Sequence, residues 1–120
     1  MTGPWVVVAT EEFEEWMMSL TYKQRSDTNE AIKFLQREGP TLGRPYVDTI
    51  RNSRFKNMKE LRVSSKGALR VLFAFDPERS VVFLLGGDKS IDSRWNDWYV
   101  SAIRRADDLF EEHIRKLGEK

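Results

Sequence analysis

Two rhythms of hydrophobic and polar positions divide this chain. The short β-branched run WVVVA (5–9) predicts a first strand. Thr10 then stands where a helix N-cap belongs, and Phe13, Trp16, Met17 and Leu20 recur at helical spacing, which predicts one helix with one apolar face. TYKQ (21–24) has the spacing of a capping box, and Ala31, Ile32 and Leu35 continue a second helix that Gly39 and Pro40 stop. The two form a helical hairpin with almost no loop. Residues 40–57 lack a clean period and read as a long surface connection with room for one short extended piece.

Beyond residue 57 the period falls to two. Strands are expected over roughly 58–64, 68–76 and 80–86. In ELRVSSKGALRVLFAF (60–75) a three-residue loop, Ser65-Lys66-Gly67 with Gly67 left-handed, pairs Ser64 with Ala68. That register sets Leu61 opposite Val71, Val63 opposite Leu69 and Arg62 opposite Arg70. It sorts the apolar residues onto one face and Glu60, Arg62, Ser64 and Arg70 onto the other, and a slip of one residue destroys the sorting. FDPERS (75–80) predicts a turn with proline at its second position, SVVFLL a strand apolar on both faces, and GGDKS the release of the chain. Trp95, Trp98, Tyr99, Ala102, Ile103, Ala106, Leu109, Phe110 and Leu117 then mark a long amphipathic C-terminal helix, with Ser93 as its expected N-cap.

Helices set before and after an antiparallel sheet define an α+β fold, and 120 residues suit one domain spanning 1–120. One sheet face is expected to pack on helices. The other, carrying Glu60, Arg62 and Arg70, is expected to stay open. Two like charges directly opposite each other on a strand pair are destabilising, so the arginine pair asks for a reason.

Composition narrows the reasons. Hydrophobic residues at 40% and charged residues at 32% give a globular balance. The absence of cysteine excludes disulfides and thiolate metal sites, the lone His113 cannot build a metal cage, and no metal or cofactor is expected. His113 falls at the helical spacing of Leu109 and Phe110, as a partly buried histidine rather than a catalyst. No signal peptide or membrane span is apparent, which predicts a soluble cytoplasmic protein. Net charge is only +1, yet Arg51, Arg54, Lys56, Lys59, Arg62, Lys66 and Arg70 crowd between Thr49 and Phe75 with Glu60 as the only acid there. The acids gather instead in EEFEE (11–15) and DDLFEE (107–112).

Cations converging on one sheet face suit a phosphate. Lys89 leaves the neighbouring strand behind Gly86 and Gly87, which permit close approach to the backbone. RNA can be cut without metal when its 2'-OH attacks the adjacent phosphorus. That reaction needs a base, an acid for the departing oxygen, and fixed positive charge for the phosphorane. Arg62 and Arg70 fit the third requirement. Glu60 fits either the base or a counter-ion to the two arginines, and Lys89 either the acid or a further phosphate contact. Lys59, Lys56, Arg54 and Lys66 are candidates for binding the rest of an RNA chain, and Trp95 for edging the site. No glycine-rich nucleotide loop, metal motif or nucleophile triad occurs.

The succession ELRV, LRVLFAFDP, VVFLLGGDKS, WY and an ADDLF helix resembles the RelE superfamily of toxins, most of all its phage-derived HigB-like branch. The resemblance covers nearly the whole chain. It implies the toxin of a type II toxin–antitoxin module, a ribosome-dependent mRNA endonuclease, neutralised by a helix-turn-helix antitoxin of the HigA/XRE kind that also represses the operon. Operator DNA would then be met only through the antitoxin. By position Arg70 matches the family's transition-state arginine, Arg62 a second sheet arginine and Lys89 the basic residue after the last strand. Where some members place His or Tyr near that strand's end, this chain has no histidine. The competing readings of the basic face are a non-catalytic nucleic-acid-binding domain and a surface that docks a partner chain.

Overall fold

The computed structural model describes residues 4–91 and 94–119. The strand β1 (Val6–Ala9) leads into α1 (Glu11–Ser19) and α2 (Tyr22–Glu38), followed by a 3-10 turn at Gly39–Thr41. The strands β2 (Val47–Thr49), β3 (Met58–Ser64), β4 (Ala68–Phe75) and β5 (Ser80–Asp88) come next, and α3 (Trp95–Gly118) closes the chain. The sheet runs β1-β5-β4-β3-β2, with β1 parallel to β5 and every other pair antiparallel.

The local signals act as their chemistry dictates. The Thr10 hydroxyl accepts the Phe13 N–H at the start of α1, and its own proton goes to the carbonyl of Leu84 on β5, so one side chain caps a helix and fastens it to the sheet. Thr21 and Gln24 form the reciprocal capping box of α2, satisfying two otherwise orphaned N–H groups. Gly39 ends α2 at a φ of 69°, a region a side chain would resist, and Trp5 packs where a side chain would otherwise stand. The β3–β4 register holds at each expected pair, Arg62 opposite Arg70 included.

The short extended piece allowed for within 40–57 is the edge strand β2. Three expectations change. In the Ser65-Lys66-Gly67 loop it is Lys66, at a φ of 50°, that is left-handed, not Gly67. Gly67 is required for a different reason: a Cβ there would stand 2.5 Å from a carboxylate oxygen of Asp88. Nor do the glycines release the chain after residue 85. β5 continues through Gly86 and Gly87 to Asp88 because they still pair with Val71 and Arg70. The third is the largest: both faces of the sheet are covered. α1 and α2 pack on the face built from Leu61, Val63, Leu69, Val71, Phe73 and Phe83, while α3 lays Ala102, Ile103, Ala106 and Phe110 over Met58, Leu72, Ala74, Val82 and Leu84. The expected cap Ser93 lies outside the described residues.

A β-bulge makes this two-sided packing possible. Leu72 faces Leu85 while Phe73 faces Phe83, leaving Leu84 as the extra residue of β5. Leu84 and Leu85 therefore both turn towards α3, and the parity beyond them is reversed. The reversal aims the bare Cα of Gly86 at Trp16 of α1 and that of Gly87 at Trp98 of α3. The far half of α3 is tied down by polar contacts. Buried Asp107 accepts hydrogen bonds from the Ser53 hydroxyl and the Arg54 N–H, and His113 Nε2 lies 2.7 Å from Asp76 Oδ2, whose other oxygen takes the Glu78 and Ser80 N–H groups of the β4–β5 turn.

A methyl group at Gly86 would overlap the Trp16 ring, whereas one at Gly43 meets nothing within 4 Å. Gly86→Ala is therefore expected to lower unfolding free energy by about 1–3 kcal/mol, and Gly43→Ala to be neutral or to stabilise by up to about 1 kcal/mol. Urea denaturation of the two variants checks the contrast, and equal effects would refute the close packing at Gly86.

Candidate active site

The pairing of Arg62 with Arg70 is resolved by what stands diagonally to each. On the α3 face, Asp48 of β2 is the direct neighbour of Glu60, and Arg62 is the direct neighbour of Arg70. Both cross-strand pairs are like-charged. One register step along, however, Arg62 Nη2 reaches Asp48 Oδ2 at 3.1 Å, Arg62 Nε reaches Glu60 Oε2 at 3.0 Å, and Arg70 Nε stands 4.0 Å from that same oxygen. Arg44 closes the outer end of the row with a 2.9 Å bond to Asp48. Like charges lie straight across and opposite charges lie on the diagonal, so the face carries an alternating charge lattice rather than a naked cationic patch.

Glu60 is its centre. Only 7% of this residue is exposed, and its second oxygen, Oε1, accepts a 2.7 Å hydrogen bond from the Tyr99 hydroxyl on α3. Burial first, and then that bond to a carboxylate, push the Tyr99 phenol well above its ordinary range and keep it a donor. Arg44 holds the Asp48 carboxyl below its usual value by hydrogen bonding, with smaller help from the Thr49 N–H and Arg62. At Asp88, burial works in the opposite direction but is outweighed. Ser90 through its hydroxyl and N–H, the Ala68 N–H and the charge of Arg70 together keep that carboxyl low.

The proposed cations do not all reach this face. The side chain of Arg62 is 37% exposed and that of Arg70 17%, so both remain accessible at the N-terminal end of α3, where the helix has only begun to cross the sheet. Arg70 also donates to the carbonyl of Leu69, which fixes its direction. Lys89 is exposed and continues the β4–β5 ladder through a bond from its N–H to the Ala68 carbonyl. Lys66 is exposed at the tip of the same hairpin. Trp95 stacks on Trp98 at 4.5 Å and on Tyr99 at 5.5 Å, forming an aromatic wall beside the lattice. Arg54 is drawn away, to Asp108 and Glu111 of α3. Lys59 has the parity of Leu61 and lies on the other face, its ammonium donating to the Pro40 carbonyl. Lys56 is exposed in the loop before β3.

Sequence reasoning missed Asp48 and Tyr99. Asp48 sits in a stretch without periodicity, and Tyr99 looked like one more core aromatic; only the pairing of β2 and the crossing of α3 bring them to Glu60. Among the described residues no cluster of three or more His, Cys, Asp and Glu could hold a metal ion, and no helix is long and apolar enough to cross a membrane.

Residues 15–111 match the family described as "Phage derived protein Gp49-like (DUF891)". Two proteins of Mycobacterium tuberculosis (strain ATCC 25618 / H37Rv) are similar over most of this chain. "Putative toxin HigB2" is 45% identical over 109 residues, 89% of this chain and 53% of its own length; "Putative toxin HigB3" is 44% identical over 105 residues, 88% and 90%. The chain thus spans about half the length of the first and nine tenths of the second. Solved structures share the fold at low identity. RelE of E. coli, a double-arginine mutant in the free state, superposes with a TM-score of 0.64 at 13% identity, over 86% of this chain and 98% of that one. The toxin–antitoxin complex RelBE2 of M. tuberculosis gives 0.56 at 22%, over 72% and 100%. The RelE–RelB complex of Pyrococcus horikoshii gives 0.57 at 13%, over 75% and 100%. The chain belongs to the Gp49-like family, of the HigB/RelE type of toxins, with the RelE fold.

Tyr99 supplies a pH signature. The folded protein keeps this phenol protonated beyond the pH, about 10, at which the unfolded chain releases the proton. Its contribution to stability is therefore whole below that pH and declines as the pH rises towards the higher folded value. Urea denaturation between about pH 9 and 11 is expected to show the wild type losing stability and Tyr99→Phe losing less; identical slopes would remove Tyr99 from the lattice.

Proposed function

We propose that this protein is the toxin of a type II toxin–antitoxin module and cuts messenger RNA on the ribosome, with Arg70 and Arg62 holding the scissile phosphate. The observation that carries the reading is the arginine pair itself: two accessible guanidinium groups on adjacent strands, held beside one buried carboxylate. The toxin class follows from the family. The paired arginines support the RNA chemistry.

In the proposed reaction the ribose 2'-oxygen forms a bond to phosphorus, the bond from phosphorus to the 5'-oxygen breaks, and the products are a 2',3'-cyclic phosphate and a free 5'-hydroxyl. One proton leaves the 2'-OH and one joins the 5'-oxygen. Charge builds on the non-bridging oxygens at the midpoint, and preorganised guanidinium N–H groups stabilise it without having to reorient. Glu60 acts as a positioning residue, since both its oxygens are engaged, Oε2 by Arg62 and Oε1 by Tyr99. Lys89, exposed beside the pair, supplies a further contact to the substrate or the proton for the leaving oxygen. Lys66 and Lys56 follow the RNA chain away from the site. Arg54 and Lys59 take no part.

The partner is a helix-turn-helix antitoxin, and the site of action is the cytoplasm, where translated messages are found. The complexes among the structural neighbours, RelBE2 and RelE–RelB, support an antitoxin partner for this fold.

Arg70→Ala is expected to abolish growth arrest on expression and to lower cleavage of ribosome-bound mRNA by at least about a hundredfold, the scale of losing one preorganised charge partner. Arg54→Ala, already neutralised by α3, should cut at close to the wild-type rate. Mapping of 5' ends on translated messages reads both. Cleavage by Arg70→Ala at the wild-type rate would overturn the site, and salt-sensitive RNA binding by the wild type without any cleavage would overturn the enzyme in favour of a binding domain.

A further inference from the structure

Between α1 and α3, at the end of β5, lies a cleft of about 300 Å³ that the arginine lattice does not use. Its floor is the outer edge of β5. The Lys89 N–H bonds to the Ala68 carbonyl, so the alternation of antiparallel pairs turns the backbone groups of Gly87 towards Arg70 on β4 and those of Gly86 and Asp88 outwards. β1 would cover them, but it ends at Ala9 opposite Phe83, and the Thr10 side chain takes the Leu84 carbonyl as the chain departs into α1. The outward N–H and C=O groups of Gly86 and Asp88 face the cleft, which both residues line. The walls are aromatic. Trp16 stands over Gly86 on one side, and Trp98, stacked on Trp95, stands over Gly87 on the other, each half-buried and each closer than any side chain at the glycine would allow. Ile91, 80% exposed, forms the rim.

We propose that this cleft binds one nucleobase of the RNA, that of a nucleotide next to the phosphate held by Arg70 and Arg62; the inference rests on the function proposed above. Unstacked RNA bases are recognised by stacking on aromatic rings and by hydrogen bonds along their edges, and this cleft offers both. The cleft between the two indoles has room for a flat ring. The outward amide and carbonyl groups of Gly86 and Asp88 present donors and acceptors along its floor. The location fits a neighbouring nucleotide, because Gly87 is the direct cross-strand partner of Arg70. An added peptide strand is the other candidate for an open edge. It is disfavoured because only two residues of β5, Gly86 and Asp88, turn their backbone groups outward before α1 closes the edge.

The test uses the whole protein and a trinucleotide RNA whose 2'-O-methyl groups remove the attacking hydroxyl. With 5-iodouridine flanking the central phosphate, irradiation is expected to cross-link Trp98 or Trp16, and titration to quench tryptophan emission. Removing that base while keeping its sugar and phosphate should weaken binding roughly five- to a hundredfold, the range of one base–aromatic stack. Trp98→Leu should lose the same factor and become indifferent to the missing base, and Trp98→Phe should restore part of it. Because the cross-link is read on the wild type, a poorly folded variant does not decide the result. Equal affinity for intact and abasic RNA, or cross-links only outside the cleft, would overturn the proposal. So would slowed amide exchange at Gly86 and Asp88 with the antitoxin but not with RNA, which would mark a strand-docking edge. The two readings fail separately: loss of cleavage in Arg70→Ala with no dependence on the base leaves the enzyme and removes the cleft, while base-dependent binding without cleavage does the reverse.

Discussion

The buried carboxylate of Glu60 is the point on which this face of the molecule depends. An ionised carboxylate out of water is costly unless both oxygens are paired, and a buried guanidinium has the same need. Glu60 meets Arg62 and Arg70 through one oxygen and Tyr99 through the other. Three elements are thereby held in one geometry: β3, which carries Glu60 and Arg62, β4, which carries Arg70, and α3, which carries Tyr99. Removing the acid would leave two guanidinium groups facing each other across a hydrogen-bonded strand pair. The acid is the condition for the arginines, and the arginines are the condition for the phosphate chemistry proposed above.

The same arrangement reconciles two demands that conflict in a small protein. A central sheet needs cover on both faces to bury enough apolar surface, yet the arginines of the lattice stay accessible. α3 answers both: its middle packs Ala102, Ile103, Ala106 and Phe110 on the core, and its first turns stop at the edge of the charge lattice. Small side chains at 102 and 106 let the helix approach closely, and Asp107 and His113 fasten its far half through polar contacts to the 53–54 loop and the β4–β5 turn. The near half is fastened chiefly by Tyr99 and the tryptophans. The helix is thus anchored in hydrocarbon where the fold needs it and in polar and aromatic contacts where the site begins.

The bulge at Leu84 links core and site in a second way. One extra residue in β5 turns two leucines towards α3 and reverses the parity of everything after them. Without it, Gly86 and Gly87 would exchange faces, and the indoles of Trp16 and Trp98 would have no bare backbone to pack against. The glycine pair therefore records the packing of two helices on opposite sides of one strand end, and the cleft beside it is a consequence of where β1 stops.

Much of this was legible in the chain. The helix N-caps, the period-two strands and the sorted hairpin are local or nearly so: a threonine caps the helix that follows it, and the register of ELRVSSKGALRVLFAF follows from burying one set of side chains and not the other. Arg62 opposite Arg70 could be read in this way before any coordinates. What pairs with them could not. Asp48 reaches Arg62 only because a three-residue strand without sequence period joins the edge of the sheet, and Tyr99 reaches Glu60 only because α3 folds back over a face that the hairpin alone leaves bare. Arg54 and Lys59, alike in sequence to the other cations of the basic block, are separated from the site by an acidic helix and by strand parity. Side-chain periodicity determined which residues share a surface; contacts between segments 14 to 54 residues apart decided which charges are neutralised and which stay available.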